Sequence, residues 1–138
     1  MLLIGVPHAM ASDRFIKILK LPSGQTAVIS EGEFEARSIG SFSVRLYQAA
    51  PAEDETIFFI SGLTSARDGF IERVVLSDIN GDTQPEIIVV VRSAGIGSYL
   101  SAHAFMTSNG QKLTLNSIVE GLQSEADPVS ALKKSGAK

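Results

Sequence analysis

The chain has no cysteine in 138 residues, which excludes a disulfide framework, a thiolate-bound zinc and a thiol nucleophile. It also lacks a basic field. Twelve Lys and Arg stand against fifteen Asp and Glu, for a net charge of -3, so no positive surface neutralises a phosphate backbone and nucleic acid is excluded as a partner. The one basic cluster, Lys133-Lys134, lies in the tail and reads as a solvated end. No run approaches the roughly 20 apolar residues of a membrane-spanning helix, so a membrane is not an expected partner either. Histidine is scarce, with only His8 and His103, and no Gly-x-Ser-x-Gly elbow accompanies them. Acid–base and nucleophilic chemistry therefore have little to work with, and no residue is assigned a catalytic role.

Apolar residues make up 44% of the chain, enough to offset the entropy of ordering one domain of this length. The first residues stand apart. Leu2-Leu3-Ile4-Gly5-Val6 is apolar and Ala9-Met10-Ala11 follows with the small-x-small pattern of a cleavage site, so residues 1–11 read as a residual export signal. A single β-domain over 12–138 is expected to follow.

From Arg14 onward, short apolar-rich runs recur between turn signals with a period near two. Arg14 to Lys20 and Gln25 to Ser30 flank Pro22-Ser23-Gly24 and predict a hairpin. Phe42 to Tyr47 alternates strictly and predicts a half-buried strand. Thr56–Ile60, Ile71–Leu76 and Ile87–Val91 are dense in β-branched and aromatic residues, which predicts central strands covered on both faces. Tyr99–Met106 and Lys112–Val119 flank Ser108-Asn109-Gly110, whose Asn-Gly step tolerates the positive φ of a tight hairpin turn. Asp127-Pro128 can cap and start a short helix through Lys134. The pattern predicts an all-β fold, an antiparallel sandwich or flattened barrel of about eight strands with one short C-terminal helix.

Three groups of residues invite a chemical reading. Glu31, Glu33 and Glu35 fall two apart; if extended they share a face, and a solvated edge is the expected result. Asp78, Asn80, Asp82 and Glu86 set oxygen ligands at relative positions one, three, five and nine, with Gly81 at the bend. That spacing can wrap calcium, although position twelve of a calcium hand falls on Val89 and Asn-Gly-Asp is also ordinary turn chemistry. A calcium-stabilised β-sandwich module for adhesion or glycan binding is therefore the competing reading to one without a cofactor. Finally, Ser93-Ala94-Gly95-Ile96-Gly97-Ser98 joins two strands and leads to Tyr99. Gly95-Ile96-Gly97-Ser98-Tyr99-Leu100 begins like a dinucleotide fingerprint but lacks the last glycine and the following helix. Glycines that let the backbone enter a narrow place, the Ser93 and Ser98 hydroxyls and a tyrosine ring with a polar tip are the parts of a projecting plug, and equally of a long hairpin connection with no partner.

The runs Phe34 to Tyr47, Val75 to Asp82 and Arg92 to Ala102 resemble the bacterial periplasmic inhibitors of invertebrate-type lysozyme over nearly all of the mature chain. The resemblance implies an all-β, sandwich-like protein of the Gram-negative periplasm. It implies no enzyme activity, but a loop with a Ser-Gly-x-Tyr motif that enters the lysozyme active-site cleft. In this chain Gly97 and Tyr99 match that motif and Ile96 stands at its serine. The contact loop so implied comprises Ser93, Gly95, Ile96, Gly97, Ser98 and Tyr99, with Arg92 and Ser101 in support. Exposed strand edges and the resemblance are also compatible with a homodimer.

Overall fold

The computed structural model describes residues 14–49 and 58–135. The expected export signal over 1–11 lies outside those residues, as do Thr56 and Ile57 of the expected fourth strand. The described residues form eight strands: β1 (Ile16–Lys20), β2 (Thr26–Glu31), β3 (Gly40–Tyr47), β4 (Phe59–Arg67), β5 (Phe70–Ser77), β6 (Glu86–Arg92), β7 (Leu100–Ser108) and β8 (Lys112–Leu122). One helix, α1 (Pro128–Ser135), follows. The strands make two antiparallel four-stranded sheets in the orders β1-β2-β3-β4 and β5-β6-β7-β8. The two sheets remain separate, so the architecture is the sandwich and not the flattened barrel.

Local chemistry explains the turns. Gly24 takes φ 91 and its N–H donates to the Leu21 carbonyl at 2.8 Å, closing the β1–β2 hairpin. Asn109 and Gly110 carry φ 54 and 66 and the Gln111 N–H donates to Ser108 at 2.9 Å, the positive-φ turn expected there. Asp127 caps α1 by accepting from the Val129 N–H at 3.1 Å and the Ser130 hydroxyl at 2.9 Å. These bonds hold its carboxyl below the usual range.

Alternation along the strands divides the core. Ala27, Ile29, Phe42, Val44, Ile87, Val89, Val91 and Phe105 fill the space between the sheets. On the outer face of the second sheet, Ile88, Val90, Ala102 and Ala104 meet Leu132 of α1 and Ile79. Strand β6 is thus covered on both faces, which accounts for its unbroken apolar run. Central placement fails for β4 and β5, which are edge strands, although β5 is partly covered on both faces. Residues of β4 alternate between half-buried and exposed, and Phe59 pairs with Tyr47 on the open face, the ring centroids 5.9 Å apart. In β5, Val74 and Leu76 face the sandwich and Val75 the helix side, all half-buried. A β-branched run reports strand propensity; whether a neighbour covers it is a matter of topology.

The glutamate triplet also departs from expectation. Strand β2 ends at Glu31 and the chain turns, so the three side chains enter three environments. Glu31 is buried and accepts from the Phe15 N–H at 3.0 Å, the Ile71 N–H at 2.8 Å and the Arg37 guanidinium at 3.0 Å. Glu33 is exposed, 3.4 Å from Arg14. Glu35 accepts from the Ser41 N–H and hydroxyl, both at 2.8 Å, and pairs with the buried Arg67. The Ser41 bonds, with the Arg67 charge adding to them, lower the Glu35 pKa.

Candidate functional site

The segment after β6 leaves the sandwich as a projecting loop. Its neck is closed by the Ser93 N–H donating to the Tyr99 carbonyl at 2.8 Å, one step beyond the Arg92–Leu100 pair of the β6–β7 ladder. At the tip the Ser98 N–H donates to Gly95 at 3.3 Å across Ile96 and Gly97. Gly97 takes φ 98, a conformation that favours glycine. Ile96 is fully exposed at 101% of its reference area. Tyr99 folds its ring back over Gly97: a methyl group there would lie 2.8 Å from ring atom Cε2. Tyr99 nevertheless stays 47% exposed. Among the described residues neither the Ser93 nor the Ser98 hydroxyl is engaged in a hydrogen bond, so both are available to a partner.

Arg92 braces this loop. Its guanidinium donates to the Ser98 carbonyl at 3.1 Å and the Ser124 carbonyl at 3.3 Å, and it pairs with Glu72 of β5. The hydrogen bond to Arg92, with the neighbouring positive charge behind it, lowers the Glu72 pKa. Gly69, with φ 136, lets the β4–β5 turn approach the Arg92 carbonyl where a side chain would collide. The glycine-rich segment is therefore closed at its neck and braced at Ser98, contacts its composition does not reveal. Ser101 takes no part in the bracing; it sits on β7 opposite Val91 and lines the depression beside the loop.

The dinucleotide resemblance of Gly95-Ile96-Gly97 ends here, since β7 and not a helix follows. His103 is buried against the Phe42 ring, 5.4 Å between centroids, and burial pushes its pKa down. A packed histidine is what this position holds.

The second candidate is at the opposite end of β6. Carboxylate oxygens of Asp78, Asp82 and Glu86 lie within 4.8 Å of one another. Most of this oxygen chemistry is already used. Asp78 accepts from the Gly81 N–H at 2.9 Å and the Thr83 N–H at 2.7 Å, Asn80 from Asp82 at 3.2 Å, and Asp82 from Gln84 at 2.9 Å. Glu86 is buried and accepts from the Ile79 N–H at 2.9 Å. These are bonds that shape a turn.

Burial raises the Glu86 pKa, and the Asp82 and Asp78 charges push it further up. A group with a raised folded pKa contributes most at low pH, and that contribution is lost as pH rises through the folded value. At neutral pH ionised Glu86 is therefore a cost. Glu86→Gln keeps an oxygen for Ile79 and is expected to leave the melting temperature at pH 7 equal or higher. The stability difference between variant and parent should shrink as the pH falls towards the ordinary glutamate range. A chelator should leave the parent's melting temperature unchanged; a clear drop would assign the loop to a cation.

Comparison with known proteins identifies the family. The family model described as periplasmic lysozyme inhibitor of I-type lysozyme matches residues 13–136. The crystal structure of the periplasmic inhibitor of I-type lysozyme from Aeromonas hydrophila is 49% identical, with a TM-score of 0.80 over 86% of this chain and 98% of that one. The Aeromonas hydrophila inhibitor in complex with Meretrix lusoria lysozyme is 51% identical, with a TM-score of 0.78 over 86% of this chain and 95% of that one. No curated protein matches the chain.

Proposed function

The chain belongs to the family of periplasmic inhibitors of I-type lysozyme, and on that premise we propose that its β6–β7 loop is the element that closes the lysozyme cleft. The protein is a periplasmic lysozyme inhibitor and not an enzyme; its partner is an invertebrate-type lysozyme. An adhesion or glycan-binding role has no support. The first 11 residues are read as the export signal that this location calls for.

One observation carries the assignment of the loop. Ile96 and Tyr99 are exposed on a projecting segment that Arg92 braces at the Ser98 carbonyl and whose turn Gly97 permits. A pre-shaped projection loses little entropy on entering a groove. Glycan hydrolysis needs two carboxyl groups facing the scissile bond. The loop occupies the groove where the glycan would lie, and the Ser93 and Ser98 hydroxyls offer donors to such carboxylates. Ile96, at the position of the motif's serine, contributes apolar contact in place of a hydrogen bond. Tyr99 supplies the anchor, and Gly95 and Gly97 the narrow backbone.

Titration in a cell-wall clearing assay tests the partner class. Stoichiometric loss of activity is expected with an invertebrate-type lysozyme, and little loss with chicken-type or goose-type enzymes at the same concentration. Equal inhibition of all three would remove the specificity from this reading.

A further inference from the structure

Beside the loop the surface falls into two adjoining depressions that share Asp68, Ser101 and Glu120. One opens onto the loop at Ser93, Gly95 and Tyr99; the other runs past Ile39 to His103. Sheet topology makes this juxtaposition. Asp68 sits on the turn between β4 and β5, Ser101 and His103 on β7, and Glu120 near the end of β8. The turn is fixed on both sides: buried Arg67 donates to the Gly69 carbonyl at 2.8 Å, and Gly69 itself abuts the Arg92 carbonyl.

Two features of this surface are unspent. Among the described residues, the ion pairs engage Glu31, Glu33, Glu35 and Glu72, so neither Asp68 nor Glu120 has a cationic partner. In addition, His103 is only 7% exposed and its Nδ1 is buried without a hydrogen-bond partner. A buried polar atom in that state is uncommon and gains by meeting one. Arg67 also lines the second depression, but its guanidinium is engaged by Glu35 and by the Arg37, Ser41 and Gly69 carbonyls, so two carboxylates outside any ion pair, a buried imidazole and the exposed Ile39 edge make a receptor for a group that is positive at its end and apolar along its stem.

We propose that this depression receives an arginine or lysine side chain of the lysozyme while the loop occupies the cleft, making Asp68 and Glu120 specificity determinants of the complex. The inference rests on the reading of the β6–β7 loop as the lysozyme contact, because it is continuity with that loop that brings the enzyme to this surface. Charge complementarity supplies the rest: exposed carboxylates steer a cationic partner and discriminate against one that lacks the cation.

The test compares inhibition constants against one invertebrate-type lysozyme at low and high salt. Asp68→Asn with Glu120→Gln is expected to weaken inhibition about tenfold at low salt and to flatten the salt dependence. Asp82→Asn with Glu86→Gln, at the far end of β6, makes the same change in net charge and should have a much smaller effect. Tyr99→Ala should weaken inhibition at every salt concentration and keep the parent's salt slope. If the Asp68/Glu120 pair behaves like the distant pair while Tyr99→Ala weakens binding, this proposal is overturned and the loop assignment stands. If Tyr99→Ala is silent and the Asp68/Glu120 pair is not, the loop assignment falls and the cation site remains.

Discussion

Replacing Tyr99 by alanine is expected to raise the inhibition constant against an invertebrate-type lysozyme well over tenfold and to leave the melting temperature almost unchanged. The two halves of that result have separate causes. In the free protein Tyr99 is 47% exposed and its ring lies on Gly97 at the loop tip, so its removal opens no cavity in either core cluster. In the complex a desolvated tyrosine is a typical anchor, with a truncation cost of about 2 kcal/mol or more, and about 1.4 kcal/mol corresponds to tenfold in affinity. Gly97→Ala should act in the same direction with the ring still present. It strains a backbone at φ 98 and drives the ring from its seat. An unchanged inhibition constant for Tyr99→Ala would reject the loop as the contact.

The largest loss of stability is expected from Glu31→Ala, which touches no proposed binding residue. Glu31 lies at the end of β2 and its carboxylate joins three parts of the fold. It accepts from Phe15 before β1, from Ile71 on β5 of the opposite sheet, and from Arg37 in the β2–β3 connection. Arg37 also lies over the Phe70 ring, 5.3 Å from its centroid.

Truncation leaves the buried Ile71 N–H without an acceptor, a cost of about 1–3 kcal/mol. It also creates a space where a fully buried side chain stood. Arg37 is 43% exposed and can turn to water, which keeps the total below that of a wholly buried ion pair. The sum is about 3 kcal/mol, a large share of the roughly 5–15 kcal/mol that holds a domain together. A fall of about 10 °C in melting temperature follows for a chain of this size. Glu31→Gln, which retains one acceptor oxygen, should fall between the two. Urea denaturation is the direct measurement, and a loss below about 1 kcal/mol for Glu31→Ala would show that the inter-sheet bond contributes little. Inhibition measured well below the transition should be preserved.

The contrast between Glu31 and Tyr99 shows where sequence reasoning reaches and where it stops. Strand identity was legible because the alternation of side chains and the turn residues are local. Phe42, Val44 and Leu46 do point inward, and Asn109-Gly110 does make a positive-φ turn. The projecting loop was legible as well, since glycine and serine between two apolar runs leave no other local structure to adopt. The cap at Asp127 belongs to the same class.

Position within the sheets was not legible. Ile87–Val91 and Ile71–Leu76 look alike as strings, yet β6 is enclosed on both faces and β5 lies at an edge, because only the order of strands decides which is covered. The same holds for charge. Glu31, Glu33 and Glu35 form one pattern in the chain, but the turn after Glu31 sends one carboxylate between the sheets, one to solvent and one to Arg67.

By itself, then, the sequence determined that the chain is an all-β former of about eight strands with a glycine-flanked loop ending in a tyrosine, because these properties depend on neighbours a few residues apart; sandwich against flattened barrel was left to the sheet order. Tertiary structure alone decided that Arg92, at the foot of the loop, is tied to Glu72 and Ser124, and that Asp68 and Glu120 line one depression beside it. Each of those contacts joins residues 20 or more positions apart, and their meeting is fixed by sheet order and hydrogen-bond register, which no local pattern encodes.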